Sequence, residues 1–445
     1  MGNISKDEIL KIVKEKNIGL VRLQFVDIVG QTRNICLPVS QLPRALDSGC
    51  SFDGSSIEGF VRIEEADMFL KPDLNTFALL PDEIKNDKKI ARIICDAYNG
   101  NGEPFEGDPR YILKKVVAEA KALGYTFNVG PEFEFYLFDL DEKGHVTTHT
   151  EDKAGYFGFG PTDKGEEARR EMIFELEKFG IEVEAAHHEC GPGQHEIDFK
   201  YGEALSTADN AITVKNTIKK VAADNNLVAT FMPKPVYGIA GNGMHMNMSL
   251  SDNSGKNVFY DESDPNHLSK IAYHFMAGII KHIKGMTLIC NPLVNSYKRL
   301  VPGFEAPVNI AWGTKNRSPL LRIPNSRPEA TRVELRSPDP SCNPYLCFAV
   351  CLAAGLDGIK NKLVCPPAVN KNIFEMSDAE MVDYNIGILP LSLEAAINEF
   401  KNDPFLKDVL GEHVYSKYLY AKCEEWKDFS QHVTNWEVDR YLHLF

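Results

Sequence analysis

The chain has 445 residues, with 49 Lys+Arg against 63 Asp+Glu for a formal charge of −14, and it is 43% hydrophobic and 25% charged. That is the composition of an ordinary soluble enzyme, long enough to bury a sizeable core, and a prior of about 150 residues per domain suggests two or three domains. The acid excess argues against nucleic acid or an anionic membrane as partner, because both need clustered Lys and Arg and no basic patch forms here.

Ser5-Lys6-Asp7-Glu8 reads as a capping box opening an amphipathic helix to about residue 16, followed by strands over 20–29 and 35–39. A loop spans residues 51–60, and a second strand pair is expected over 76–80 and 90–95. Tyr98-Asn99-Gly100-Asn101-Gly102-Glu103-Pro104 is turn-rich and marks a boundary, so residues 1–103 form a small α+β domain and 104–445 a larger one. A helix over 109–123 opens the larger part. Strands and helices then mix without a strict βαβ rhythm, and helices dominate after Asn343-Pro344, which supplies an N-cap and a first-turn proline. Ten cysteines include no C-x-x-C pair and several sit in apolar runs, which predicts reduced core residues in a cytoplasmic protein. The first six residues show no apolar signal region, and no apolar stretch reaches the roughly 18 residues of a membrane span.

Four segments carry the chemistry. Alternation over 125–135 puts Phe133 and Phe135 on one strand face and Glu132 and Glu134 on the other. Glu196 recurs opposite Ile197 just after Glu189 and a Cys190-Gly191-Pro192-Gly193 turn; His245, Asn247 and Ser249 oppose four apolar residues; Arg332, Glu334 and Arg336 oppose Val333 and Leu335. Taken singly, each is a half-buried strand with its polar face in water. Together they concentrate five carboxylates, whose repulsion in one cleft requires cations. Oxygen donors with a single His suit Mg²⁺ or Mn²⁺ rather than zinc, and His188-Glu189 is followed by Pro192 where a zinc protease would need a second His. A basic cluster follows over 295–322 in which Arg is favoured over Lys, as suits carboxylate and phosphate oxygens. No Walker loop is present. These residues describe a two-metal enzyme that moves phosphate and grips a small carboxylate, leaving kinase, phosphohydrolase and ATP-dependent ligase open.

Asp53-Gly54-Ser55-Ser56, Gly130-Pro131-Glu132-Phe133-Glu134-Phe135, His187-His188-Glu189, Gly243-Met244-His245, and the segments 295–307 and 332–340 together resemble glutamine synthetases of the bacterial and archaeal class I type, over nearly the whole chain. The resemblance implies an N-terminal β-grasp domain and a catalytic α/β domain whose antiparallel sheet forms an active-site half-barrel. It also implies two stacked hexameric rings with sites between neighbouring subunits. The implied reaction joins ammonia to the γ-carboxylate of L-glutamate through γ-glutamyl phosphate, with ATP as co-substrate and two or more Mg²⁺ or Mn²⁺ ions. One metal would be held by Glu134, Glu189 and Glu196, the other by Glu132, His245 and Glu334. Glutamate contacts would come from Gly241, Arg299, Glu305, Arg317 and Arg336, and nucleotide contacts from Glu184, Tyr201, Asn247, Ser249, Arg317, Arg322 and Arg332.

By the same resemblance, Asp53, given by the next subunit, would bind and deprotonate ammonium, with Ser56, Asp67 and Tyr156 nearby, while Glu305 would close a flap that excludes water. Phe374 stands where an adenylylated branch carries tyrosine, so nucleotidylation is not expected. Arg62 resembles a residue of the branch that glutamine itself inhibits and that binds nitrogen-responsive transcription regulators. Two alternatives share the motifs: a ligase using an organic amine, and a non-enzymatic assembly or regulatory relative.

Overall fold

The computed structural model describes residues 4–57, 59, 67–81, 88–301, 306–314, 318–325, 327–371 and 373–445. Arg62, Glu305, Arg317 and the Phe374 side chain lie outside the described residues.

Ser5 accepts from the Glu8 backbone N–H while the Glu8 carboxylate accepts from the Ser5 N–H, so the expected capping box starts the helix Lys6–Glu15. Ile9 and Val13 on its inner face pack with Val21, Leu23 and Ile93. Those residues belong to a sheet built from β1 (Ile18–Val26), β2 (Thr32–Pro38), β3 (Cys50–Asp53), β4 (Asp67–Pro72), β5 (Ala78–Leu79) and β6 (Lys89–Asn99). Its order is β2-β1-β6-β4-β3 with β5 on β6; β1 and β6 run parallel and the other neighbours antiparallel. Two sequence expectations need correction here. The strand expected over 76–80 is cut back to β5, Ala78–Leu79, because the Asp73 side chain accepts from the Asn75 N–H and sets a 3₁₀ turn, Leu74–Thr76, just before it. The start of the supposed 51–60 loop is β3, with Asp53 opposite Asp67.

The second sheet is organised by the long β7 (Thr126–Asp139), joined by β8 (Val183–His188), β9 (Gln194–Phe199), β10 (Gly202–Glu203), β11 (Leu227–Thr230) and β12 (Met246–Ser251). Beyond β13 (Asn309–Ile310) lie β14 (Trp312–Gly313), β15 (Leu321–Arg322) and β16 (Val333–Leu335), giving the order β14-β15-β16-β12-β7-β9-β8, with β10 and β11 also on β7. β13 pairs instead with β17 (Gly387–Ile388). All pairs in the large sheet are antiparallel except β14 with β15. The fold is thus the expected α+β combination of a small sheet domain and a larger sheet covered by helices.

Phe133 and Phe135 point into the core, where their rings meet Phe199 and Phe231 at 5.8–6.2 Å, leaving the opposite face of β7 to its carboxylates. Helices Lys270–Cys290 and Pro344–Lys360 close the core by an approach that only glycine permits. A Cβ on Gly278 would lie 1.9 Å from the Ala354 carbonyl oxygen, and one on Gly358 1.9 Å from that of His274. Gly278→Ala is therefore expected to destabilise the protein by about 2–3 kcal/mol through forced helix separation, a loss that denaturant unfolding would measure. Asn343 caps the second helix as expected, its Oδ1 accepting from the Tyr345 N–H at 3.0 Å.

A buried arginine pins the small sheet to the rest. Arg110, in the helix Pro109–Ala122, reaches Asp73 and Asp96 on one side and both oxygens of Asp209 on the other at 2.7–2.9 Å; Tyr345 donates to Asp209 as well. Five of the ten cysteines are buried, but Cys36 and Cys190 are exposed, correcting the expectation that the thiols are core residues. No helix among the described residues is long and apolar enough to cross a membrane.

Candidate active site

Strand pairing, not proximity in sequence, assembles the site. In the β7–β9 ladder Glu134 faces Glu196 and Glu132 faces Asp198, and the β8–β9 ladder sets His187 beside Glu196. On the other edge of β7 the Glu132 N–H donates to the His245 carbonyl at 3.0 Å, and β12 carries Asn247 across to Glu334 on β16. The four polar faces expected from alternation thus meet in one cleft.

Side chains of Glu132, Glu196 and His245 bring one ligand atom each within 4.8 Å of one another, and His187, Glu196 and Asp198 form a second such group. His245 Nδ1 lies 3.1 Å from Glu132 Oε2, and Asn247 Nδ2 donates to Glu132 Oε1 at 2.8 Å. Glu134 accepts from the Gly243 N–H at 2.7 Å and has its other oxygen 3.9 Å from His245 Nε2. Glu189 is 3.7 Å and Glu196 3.0 Å from the two nitrogens of His187. Glu196 thus belongs to both groups, and in one of them it comes close to Glu132 and His245, which the resemblance assigns to the other metal. Glu334, only 2% exposed, is held instead by Arg322 Nη1 at 2.8 Å and by Arg336.

The crowding splits the carboxyls into two kinds. Burial raises the Glu132 pKa, but the hydrogen bond and charge of His245 and the Asn247 amide outweigh it and bring it down to about 2. Burial, then the Glu134 and Glu132 charges, push Glu196 up to about 9, and burial with the Glu196 charge pushes Asp198 to about 9. Burial and Arg336 oppose protonation of His245, yet Glu132 and Glu134 leave its pKa raised. Asp198 also has a buried oxygen, Oδ1, with no hydrogen-bond partner. Hard oxygen donors at this density, one imidazole and an orphaned buried oxygen fit a divalent cation of the Mg²⁺ or Mn²⁺ class.

A consequence follows for pH. Between the usual carboxyl range and about 9 the folded, metal-free protein binds more protons at Glu196 and Asp198 than the unfolded chain does. Its stability should therefore fall as pH rises from about 6 to 9, and divalent metal, by displacing those protons, should flatten the dependence. Thermal unfolding across that range with and without Mg²⁺ checks the sign; a flat metal-free profile would contradict it.

The arginines sit where a carboxylate and phosphates could meet them. Arg299 is buried and donates to the carbonyls of Ser337 and Arg336 at 2.6 and 3.2 Å, while Arg336 keeps Nε buried and without a hydrogen-bond partner. Gly241 lies against Arg299, whose side chain a Cβ there would meet at 3.0 Å, and its carbonyl accepts from Gln194 Nε2. Arg332 is tied to Asn247 Oδ1 at 2.8 Å. Tyr201, exposed, and Ser249 share a cavity of about 520 Å³ with Asn128, Asn257 and Glu329. Glu184 lies exposed at the β8 irregularity, where the register shifts between Val183 and Ala185.

Asp53, Ser56 and Asp67 stand apart on the exposed edge of the small sheet, where Asp53 accepts from the N–H and hydroxyl of Ser55 at 2.8 and 2.6 Å. Those two bonds hold its carboxyl below the usual range. Tyr156, half-exposed, sets its ring 5.5 Å from that of His187 and so borders the carboxylate cluster. Sequence reasoning missed Asp198, His187 and Gln194. The first and last were legible, because they flank Glu196 at spacing two and share its face, and Gln194 Nε2 indeed donates to Glu134 at 3.3 Å.

Residues 17–100 match the family described as glutamine synthetase, beta-Grasp domain, and residues 106–441 that described as glutamine synthetase, catalytic domain. A glutamine synthetase of Clostridium saccharobutylicum is 54% identical over 445 residues, covering all of both chains. One of Thermus thermophilus is 53% identical over 441, covering 98% of this chain and 99% of its own. The solved structure of Plasmodium falciparum glutamine synthetase superposes with a TM-score of 0.86 at 29% identity, covering 98% of this chain and 99% of its own. The chain belongs to the glutamine synthetase family.

Proposed function

We propose that the protein is a glutamate–ammonia ligase that makes L-glutamine, ADP and phosphate from L-glutamate, ammonia and ATP. The carrying observation is the convergence of Glu132, Glu134, Glu196, Asp198 and His245 beside the buried Arg336, whose Nε is unspent. Mg²⁺ or Mn²⁺, held by Glu132, Glu134, Glu189, Glu196, His245 and Glu334, would supply charge neutralisation between the ATP phosphates and the acceptor carboxylate.

The chain's own residues do the rest. Arg299 and Arg336 orient glutamate so that a γ-carboxylate oxygen attacks the γ-phosphorus; the bond to ADP breaks and γ-glutamyl phosphate forms. Arg317, Arg322 and Arg332 meet the phosphates, and Glu184, Tyr201, Asn247 and Ser249 the nucleotide. Ammonium has no lone pair. Asp53 of a neighbouring subunit, with Ser56, Asp67 and Tyr156 around it, takes its proton; ammonia then attacks the acyl carbon and phosphate leaves with the C–O electron pair. Glu305 covers the acyl phosphate against water. A dodecamer of two hexameric rings would bring Asp53 to the site, since within one chain the Asp53 carboxylate accepts only from Ser55 among the described residues.

A steady-state assay of the purified protein decides the reading: glutamine should appear from glutamate, NH₄⁺ and Mg-ATP, and its absence overturns it. Much faster turnover with an organic amine would shift the substrate assignment. Glutamine added to the same assay should inhibit, with Arg62 as the regulatory residue, and the protein would also bind nitrogen-responsive transcription regulators in the cytoplasm.

A further inference from the structure

Behind the carboxylate cleft lies a buried charge network with no part in the chemistry proposed above: Asp152, Asp163, Arg169, His188 and His195 are each less than a tenth exposed. Alternation turns His187 and Glu196 toward the cleft and sends His188 and His195, register partners on β8 and β9, to the other face. His188 Nε2 lies 2.9 Å from Asp152 Oδ1 and Nδ1 2.7 Å from the Glu189 carbonyl oxygen; each nitrogen faces an oxygen, so both donate. Arg169, in the helix Glu166–Lys178, donates from Nη2 to Asp163 Oδ2 at 2.7 Å and from Nη1 to His195 Nδ1 at 2.6 Å. Two cations thus balance two carboxylates, and the group needs no metal ion.

Asp152 and Asp163 stand at the two ends of one loop. Asp152 also accepts from the N–H groups of Ala154 at 2.9 Å and Lys164 at 2.8 Å, and the Lys153 N–H donates to the Thr162 carbonyl at 3.1 Å, which closes the base. From there the loop reaches over the end of β8. The Phe157 N–H donates to the His188 carbonyl at 3.0 Å, and the Phe157 and Tyr156 rings stand 4.7 and 5.5 Å from the His187 ring. Phe157 takes a φ of +57°, a left-handed conformation that a bulky side chain adopts only where its surroundings hold it. His188 fastens this stretch at both ends, its ring to Asp152 and its carbonyl to Phe157.

We propose that His188 and Asp152 are positioning residues, which clamp the 152–164 loop to the back of β8 and so set Tyr156 against the cleft. The role rests on the reaction proposed above, in which Tyr156 walls the ammonium pocket. The clamp's hydrogen bonds go to the loop and to the Glu189 backbone, so loosening it should be felt by ammonium rather than by glutamate or ATP.

Asparagine and glutamine separate the two bonds of the His188 ring, because the Asn amide nitrogen stands near the Nδ1 position and the Gln amide nitrogen near Nε2. His188→Asn keeps the bond to the Glu189 carbonyl and loses Asp152. It should raise the KM for ammonium by about tenfold, since misplacement by an ångström costs up to about 10²-fold, and leave the KM values for glutamate and Mg-ATP unchanged. Hydrogen exchange of the assembled protein, read by mass spectrometry, should quicken over 152–164 and not in β8 or β9. His188→Gln still reaches Asp152 and should restore both readouts. Should His188→Asn fail to assemble, Asp152→Asn attacks the clamp from the loop side, because an amide must turn an N–H toward either His188 or Lys164, and the same two changes are expected. Unchanged exchange over 152–164 would remove the clamp whether or not the protein makes glutamine. Quickened exchange with an unaltered ammonium KM would remove its part in catalysis. Equal rises in all three KM values, or a His188→Gln as impaired as His188→Asn, would leave the pair a purely structural role.

Discussion

Glu132→Ala should lower glutamine formation by about a thousandfold or more while the assembled protein persists, because the carboxylate is used in the transition state rather than for folding. His245 and Asn247 bring the Glu132 carboxyl down to about 2 against the cost of burial. Alanine removes that charge and both acceptors. It deprives the His245 imidazole of its hydrogen bond and leaves Asn247 with only Arg332 and the Gly130 carbonyl at 3.3 Å. A cation held there would lose a ligand and the orientation of another, and the two losses would not be additive. Steady-state assay at saturating Mg²⁺, with sizing chromatography to confirm assembly, measures the effect. Retention of full activity would remove Glu132 from the metal site.

Asp53→Ala should separate the two chemical steps. Phosphoryl transfer needs the carboxylate cleft and the arginines, none of which the Asp53 carboxylate touches within its own chain among the described residues. Amide formation needs a base for ammonium, and losing a positioned base costs about 10²–10⁴-fold. The expected result is ATP cleavage that continues on glutamate, with acyl phosphate trapped by hydroxylamine, an amine that is already neutral, while glutamine formation collapses. Because Ser55 holds the Asp53 carboxyl below the usual range, the base is present in its ionised form throughout the neutral region. Equal loss of both steps would instead make Asp53 a structural residue of the subunit contact.

What was legible in the sequence was legible through period two. Alternation alone put Glu132 and Glu134 back to back with Phe133 and Phe135, and put His245 and Asn247 on one face of β12, since strand side chains leave the sheet on alternate sides. Convergence was not legible. Glu134 meets Glu196 and Gly243 across 62 and 109 positions of chain, by ladders whose partners no local pattern names. The strand expected over 76–80 keeps only the two residues of β5, because at 74–76 the Asp73 side chain decided the backbone.

The Arg110 pin has a consequence for how activity depends on concentration. By joining Asp73 and Asp96 of the small sheet to Asp209, it ties the sheet that carries Asp53 to its own chain's catalytic part through a buried charge network. A subunit so fastened cannot fold its Asp53 edge inward to serve its own carboxylates. Diluting the protein below its assembly range should then silence amide synthesis while every chain remains folded, and reconcentration should restore it without any refolding step. The catalytic quantity in such a system is the number of contacts between neighbours, not the number of chains.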